Sequence, residues 1–127
     1  VICGIVATHG KLGDELIQTA EQIAGPQQGL LFVSNEGLSA DALAGTVTET
    51  VRQCPGVTGV LIMTDVPGGS CTLVCRSIKE FVVRAWIVTG VNLPMVLAFL
   101  HYRDSVEPER LAEVVAQRGV KAIEVVC

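Results

Sequence analysis

VICGIVATHGKLG, residues 1–13, reads as a buried strand that runs into a glycine-punctuated turn. The segment 1–8 (VICGIVAT) carries no charge. An unbroken apolar run of that length, closed by a turn, is the pattern of a parallel strand covered on both faces. The turn Thr8-His9-Gly10-Lys11-Leu12-Gly13 leads into a predicted helix over 14–24. Leu16, Ile17, Ala20, Ile23 and Ala24 fall on one face of that helix, and Gly25-Pro26 stops it. Strand, turn and helix make a βα unit. In open parallel sheets, ligands and reactive groups gather at the carboxyl ends of the strands. His9, one of two histidines in the chain, stands at that position.

The same alternation continues along the chain. Strands are predicted at 29–34 (GLLFVS), 57–64 (VTGVLIMT), 85–89 and 120–126 (VKAIEVV). Ser39 is placed to cap a helix whose face is Leu43, Ala44, Val47 and Val51, ended by Cys54-Pro55-Gly56. Further helices are predicted over 70–82, over 94–102 and over 108–118, the last with Pro108 in its first turn and Gly119 as its C-cap. The expectation is one three-layer, doubly wound α/β domain spanning 1–127.

A second glycine turn, Asp65-Val66-Pro67-Gly68-Gly69-Ser70, follows the third strand. Gly68 and Gly69 let backbone approach a ligand closely. With Ser70 they open a helix whose N-terminus offers N–H groups to a phosphoryl group. The two turns together suggest a histidine that carries charge or a covalent group, oriented by a carboxylate.

Composition narrows the choices. The net charge is −4 with no cluster of Lys and Arg, which argues against nucleic acid or an anionic membrane surface as a partner. No apolar stretch reaches the length of a membrane-spanning helix, so none is expected, and neither is a basic-then-apolar leader. The five cysteines are odd in number and form no CxxC pair, so no disulfide framework is expected and a reducing cytoplasm fits. Cys71 and Cys75 share a predicted helix face and read as small core residues; no metal site and no cofactor are expected. The competing reading is a flavodoxin-like module that binds a small ligand or phosphate without transferring it. One Trp, one Tyr and three Phe leave little to stack on a flavin or base. A receiver domain would need an acidic cluster after the first strand, where this chain has His9.

Three motifs stand at three successive strand ends: Ala7-Thr8-His9-Gly10, Asp65-Val66-Pro67-Gly68-Gly69-Ser70 and Gly90-Val91-Asn92-Leu93-Pro94-Met95. In order and spacing the chain resembles the mannose-type EIIA domain of the bacterial phosphoenolpyruvate:sugar phosphotransferase system. The resemblance implies a strand order 2-1-3-4 in parallel with an antiparallel last strand. It also implies a phosphoryl relay in which His9 takes a phosphoryl group from HPr and passes it to an EIIB domain. In that order the switch point lies between the first and third strands, so His9 and Asp65 should face each other there. Asp65 would fix the ring tautomer and balance its charge, with Gly68, Gly69 and Ser70 around the phosphoryl group and Thr8, Gly10 and Asn92 lining the site. Blander roles exist for these residues: His9 could be a satisfied structural histidine, Asp65 a cap of the 70–82 helix, Gly68-Gly69 only a tight turn, Thr8 the end of the strand and Asn92 an N-cap before Pro94. Pro67, where the family often has a bulky residue, and Cys71, where it commonly has Pro, are departures that bear on which EIIB domain docks.

A homodimer is expected from two features. Residues 94–100 have no polar face, and 120–126 would form an edge strand, which the resemblance suggests is exchanged between subunits. The alternative is that the 94–102 helix is buried within one chain.

Overall fold

The computed structural model describes residues 2–67, 73 and 84–127. Its elements in chain order are β1 (Ile2–Thr8), α1 (Leu12–Ala24), β2 (Leu30–Ser34), α2 (Ala40–Arg52), β3 (Gly59–Thr64), β4 (Ala85–Val88), α3 (Leu93–Tyr102) and α4 (Pro108–Lys121). The four strands form one parallel sheet in the order β2-β1-β3-β4. β1 and β3 are the inner strands, and every residue of both is buried. That explains why both read as continuous apolar runs rather than alternating ones.

Side-chain alternation sorts the strands between two cores. Cys3, Ile5 and Ala7 of β1 and Val60 and Ile62 of β3 face Leu43, Val47 and Val51 of α2. Ile2 and Val6 of β1 and Leu61 and Met63 of β3 face Ile17 and Ala20 of α1, Val96 and Phe99 of α3, and Leu111 and Val115 of α4. The result is the expected three-layer arrangement, with α2 on one face of the sheet and α1, α3 and α4 on the other. Gly4 is needed on the second face, because a Cβ there would lie 2.6 Å from Phe99 Cε2. Ser39 caps α2 as expected, accepting the Ala42 N–H at 3.2 Å.

Four expectations are corrected or relocated. The segment after α4 is not a strand: the N–H groups of Ala122 and Ile123 turn back to the carbonyls of Arg118 and Val120. Among the described residues no strand lies beside this segment to complete a ladder, and Ile123, Val125 and Val126 are exposed. Gly119 does not end its helix, which runs on to Lys121. Its missing Cβ serves packing instead, since one would stand 2.5 Å from Met95 Cγ. Cys3 and Cys54 are joined in a disulfide, Cα atoms 6.5 Å apart, which an odd cysteine count hid. Finally, α3 finds cover within its own chain: Met95, Val96, Ala98 and Phe99 are buried in the core it shares with α1 and α4. Its composition therefore no longer requires a second subunit. Of the predicted helix over 70–82 only Leu73 is described, and it is helical; Gly68, Gly69, Ser70, Cys71 and Cys75 lie outside the described residues.

Candidate functional site

His9 follows β1 and Asp65 follows β3, two adjacent parallel strands, so the chain ends them side by side. His9 Nδ1 is 2.8 Å from Asp65 Oδ2, and the His9 backbone N–H donates to the same oxygen at 3.0 Å. The other oxygen, Oδ1, accepts the Val66 N–H at 3.0 Å. Both carboxylate oxygens are therefore committed. The His9 side chain is 54% exposed and that of Asp65 only 11%. The ring is thus anchored on its inner nitrogen and open to solvent beyond it.

Burial pushes the Asp65 carboxyl up, but the N–H groups of His9 and Val66 and the charge of a protonated imidazole outweigh it. The group is held below its ordinary value. At neutral pH it is a carboxylate, which can only accept hydrogen bonds. In the neutral ring Nδ1, facing that carboxylate, then carries the proton, and Nε2 keeps its lone pair.

Thr8 is fully buried and does not reach the solvent-exposed side of the site. Its Oγ1 accepts the Gly13 N–H at 2.8 Å, in the first turn of α1. Lys11 at the N-cap position supplies no side-chain acceptor, and Thr8 takes over that role from across the turn. The missing cap residue before α1 was the sequence cue for this bond. Gly10 has φ +53, so it turns the chain from His9 into α1 in a conformation that favours glycine. Asn92 is the N-cap of α3: its Oδ1 accepts the Met95 N–H at 3.0 Å, while Nδ2 donates to the Gly119 carbonyl at 3.2 Å. The backbone next to it closes on the site's own strand, with the Val91 N–H donating to the Thr64 carbonyl at 2.9 Å. Gly119, whose carbonyl Asn92 uses, was not expected among these residues.

No group of three or more potential metal-ligating side chains occurs among the described residues. No helix among them is long and apolar enough to cross a membrane.

A family model described as EIIA-man, PTS system fructose IIA component, matches residues 4–116. The chain is 28% identical over 126 residues to the mannose-specific EIIAB component of the phosphotransferase system of Escherichia coli K12, covering 94% of this chain. It spans only 39% of that relative's length. Its fold matches the phosphotransferase component EIIA of Streptococcus agalactiae with a TM-score of 0.90 at 22% identity, over 98% of this chain and 97% of that one. The mannose/sorbose-specific IIA subunit of Enterococcus faecalis matches with a TM-score of 0.84 at 21% identity, over 98% and 94% of the two chains.

Proposed function

Since the chain belongs to the EIIA-man family of phosphotransferase-system IIA components, we propose that it relays a phosphoryl group through His9 Nε2. The observation that carries this reading is the Asp65 clamp: one carboxylate oxygen holds both the backbone and ring Nδ1 of an exposed histidine. In the first step the Nε2 lone pair forms a bond to the phosphorus of phospho-HPr. The bond to the donor breaks, and its electrons stay with the donor. The ring, now substituted at Nε2 and protonated at Nδ1, is cationic, and the Asp65 carboxylate beside it offsets that charge. In the second step an acceptor group on an EIIB domain attacks the phosphorus, and the electron pair returns to Nε2. Such transfer needs positioning and charge balance more than proton shuttling, so a small site suffices. Gly68, Gly69 and Ser70 are proposed to present N–H groups to the phosphoryl oxygens, and the reaction is placed in the cytoplasm.

The protein is proposed to act as a homodimer. The exposed apolar tail, Val120, Ile123, Val125 and Val126, supports this, since association would cover it. Sedimentation of the chain and of a variant lacking residues 120–127 checks this, with dimer expected for the first and monomer for the second.

The relay is tested by incubation with phosphoenolpyruvate, enzyme I and HPr. One acid-labile, alkali-stable phosphoryl group per chain is expected, and none in His9→Ala. Stoichiometric labelling of His9→Ala would place the acceptor elsewhere.

A further inference from the structure

Asn92 does more than an N-cap requires. Capping the start of α3 takes one side-chain oxygen, and Ser, Thr or Asp would supply it about as well. Asp has no donor, and a Ser or Thr hydroxyl must donate from the same short-reaching oxygen that caps, whereas Asn carries its acceptor and its donor on separate atoms. Asn92 uses both: Oδ1 takes the Met95 N–H, and Nδ2 reaches Gly119, 27 residues further along the chain. The carbonyl it satisfies lies in the last turn of α4, where helical partners run out. Gly119 makes the approach possible, because a Cβ there would stand 2.5 Å from Met95 Cγ and 3.3 Å from Asn92 Oδ1.

The residues on either side of this bond lead to the site. Val91 donates to the Thr64 carbonyl at 2.9 Å, beyond the last paired rung of β3 and β4, Met63 with Val88. Thr64 is fully buried and is followed directly by Asp65, which holds His9 by backbone and ring. The end of α4, the 89–92 loop and the Asp65 clamp are thus joined by consecutive residues and two hydrogen bonds.

We infer that Asn92 is a positioning residue for phosphoryl transfer, fixing the Thr64–Asp65 backbone by tying the 89–92 loop to Gly119 of α4. It rests on the relay reading for its kinetic consequence, but its effect on the His9 ring is separate. Releasing Nδ2 from Gly119 lets the loop move. Thr64 then loses a fixed partner, and the Asp65 oxygen is held less firmly against Nδ1.

The test is Asn92→Ser, which keeps a neutral capping oxygen but is too short to reach Gly119. Histidine ¹⁵N spectra of the unphosphorylated chain read the His9 tautomer, and single-turnover transfer from phospho-HPr reads rate and KM. The expected result is a loss of the single Nδ1–H tautomer. A rate about three- to tenfold lower, with KM for phospho-HPr within twofold of the parent, should accompany it. Asn92→Asp, also a good cap without the donor, should show the same tautomer change and stands in if the serine variant does not fold. A lower melting temperature with an unchanged tautomer and rate would make Asn92 merely a cap and overturn the inference. If the parent chain takes no label on His9, the relay reading fails, and the tautomer measurement still decides the role of Asn92.

Discussion

Replacing Asp65 with Asn probes the clamp with almost no change in shape. Asp65 accepts three N–H groups, two at Oδ2 from His9 and one at Oδ1 from Val66. An amide has one oxygen and one NH₂, so it cannot serve both sides. With its oxygen toward His9, the NH₂ opposes the Val66 N–H, and the two His9 bonds lose their ionic character. With its NH₂ toward His9, it opposes the backbone N–H and accepts no proton from Nδ1, so the ring carries its proton on Nε2 and cannot attack. A hydrogen bond to a charged group contributes about 1.5–3 kcal/mol against about 1 for a neutral one. Losing that difference at the ring, plus part of the population to the wrong tautomer, predicts transfer about 10- to 100-fold slower. The roughly 10⁴-fold loss seen for the equivalent change in a serine-protease triad is not expected, because this ring has no proton to shuttle. Rapid-quench measurement of label moving from phospho-HPr to the chain gives the rate directly. Rates within twofold of the parent, with the fold intact, would refute this role for Asp65.

Three other outcomes follow from the same structure. Because the Asp65 pKa is lowered in the fold, its contribution to stability is complete above the ordinary carboxyl range, near pH 4, and is lost as pH falls through the lower folded value. Urea unfolding at stepped pH should show a shallower acid limb in Asp65→Asn than in the parent. Gly4→Ala places a methyl 2.6 Å from the Phe99 ring and should cost about 1–3 kcal/mol; in a Phe99→Leu background the added cost should shrink, and strictly additive losses would contradict the contact. Under oxidising conditions Cys54→Ala should lose about 2–4 kcal/mol by releasing a loop closed across 51 residues, whereas the reduced parent and the variant should differ far less.

Much of this architecture was legible because buried parallel strands and glycine turns leave plain marks in sequence. The apolar runs at β1 and β3 and the capping Ser39 were readable locally. The pairing of His9 with Asp65 followed once the strand order was in hand, since adjacent parallel strands end together. What escaped was set by contacts between distant segments. Gly119 has the look of a helix stop, but Met95 needs its missing side chain. Cys3 and Cys54 meet only when α2 folds back across β1, and no spacing rule foretells that. The tail 120–126 has the composition of a strand, but a strand is defined by its neighbour, and none stands beside it among the described residues. Ile23 fits the apolar stripe of α1 and is nevertheless 63% exposed, while Ile17 and Ala20 of the same stripe are buried.

The proposed relay requires that Nδ1 of His9 be held and Nε2 be free. Long-range ¹H–¹⁵N and ³¹P spectra of the phosphorylated chain identify both. The predicted result is a phosphoryl group on Nε2 of His9, with Nδ1 protonated toward Asp65. A phosphoryl group on Nδ1, or no phosphohistidine after exposure to phospho-HPr, would contradict it.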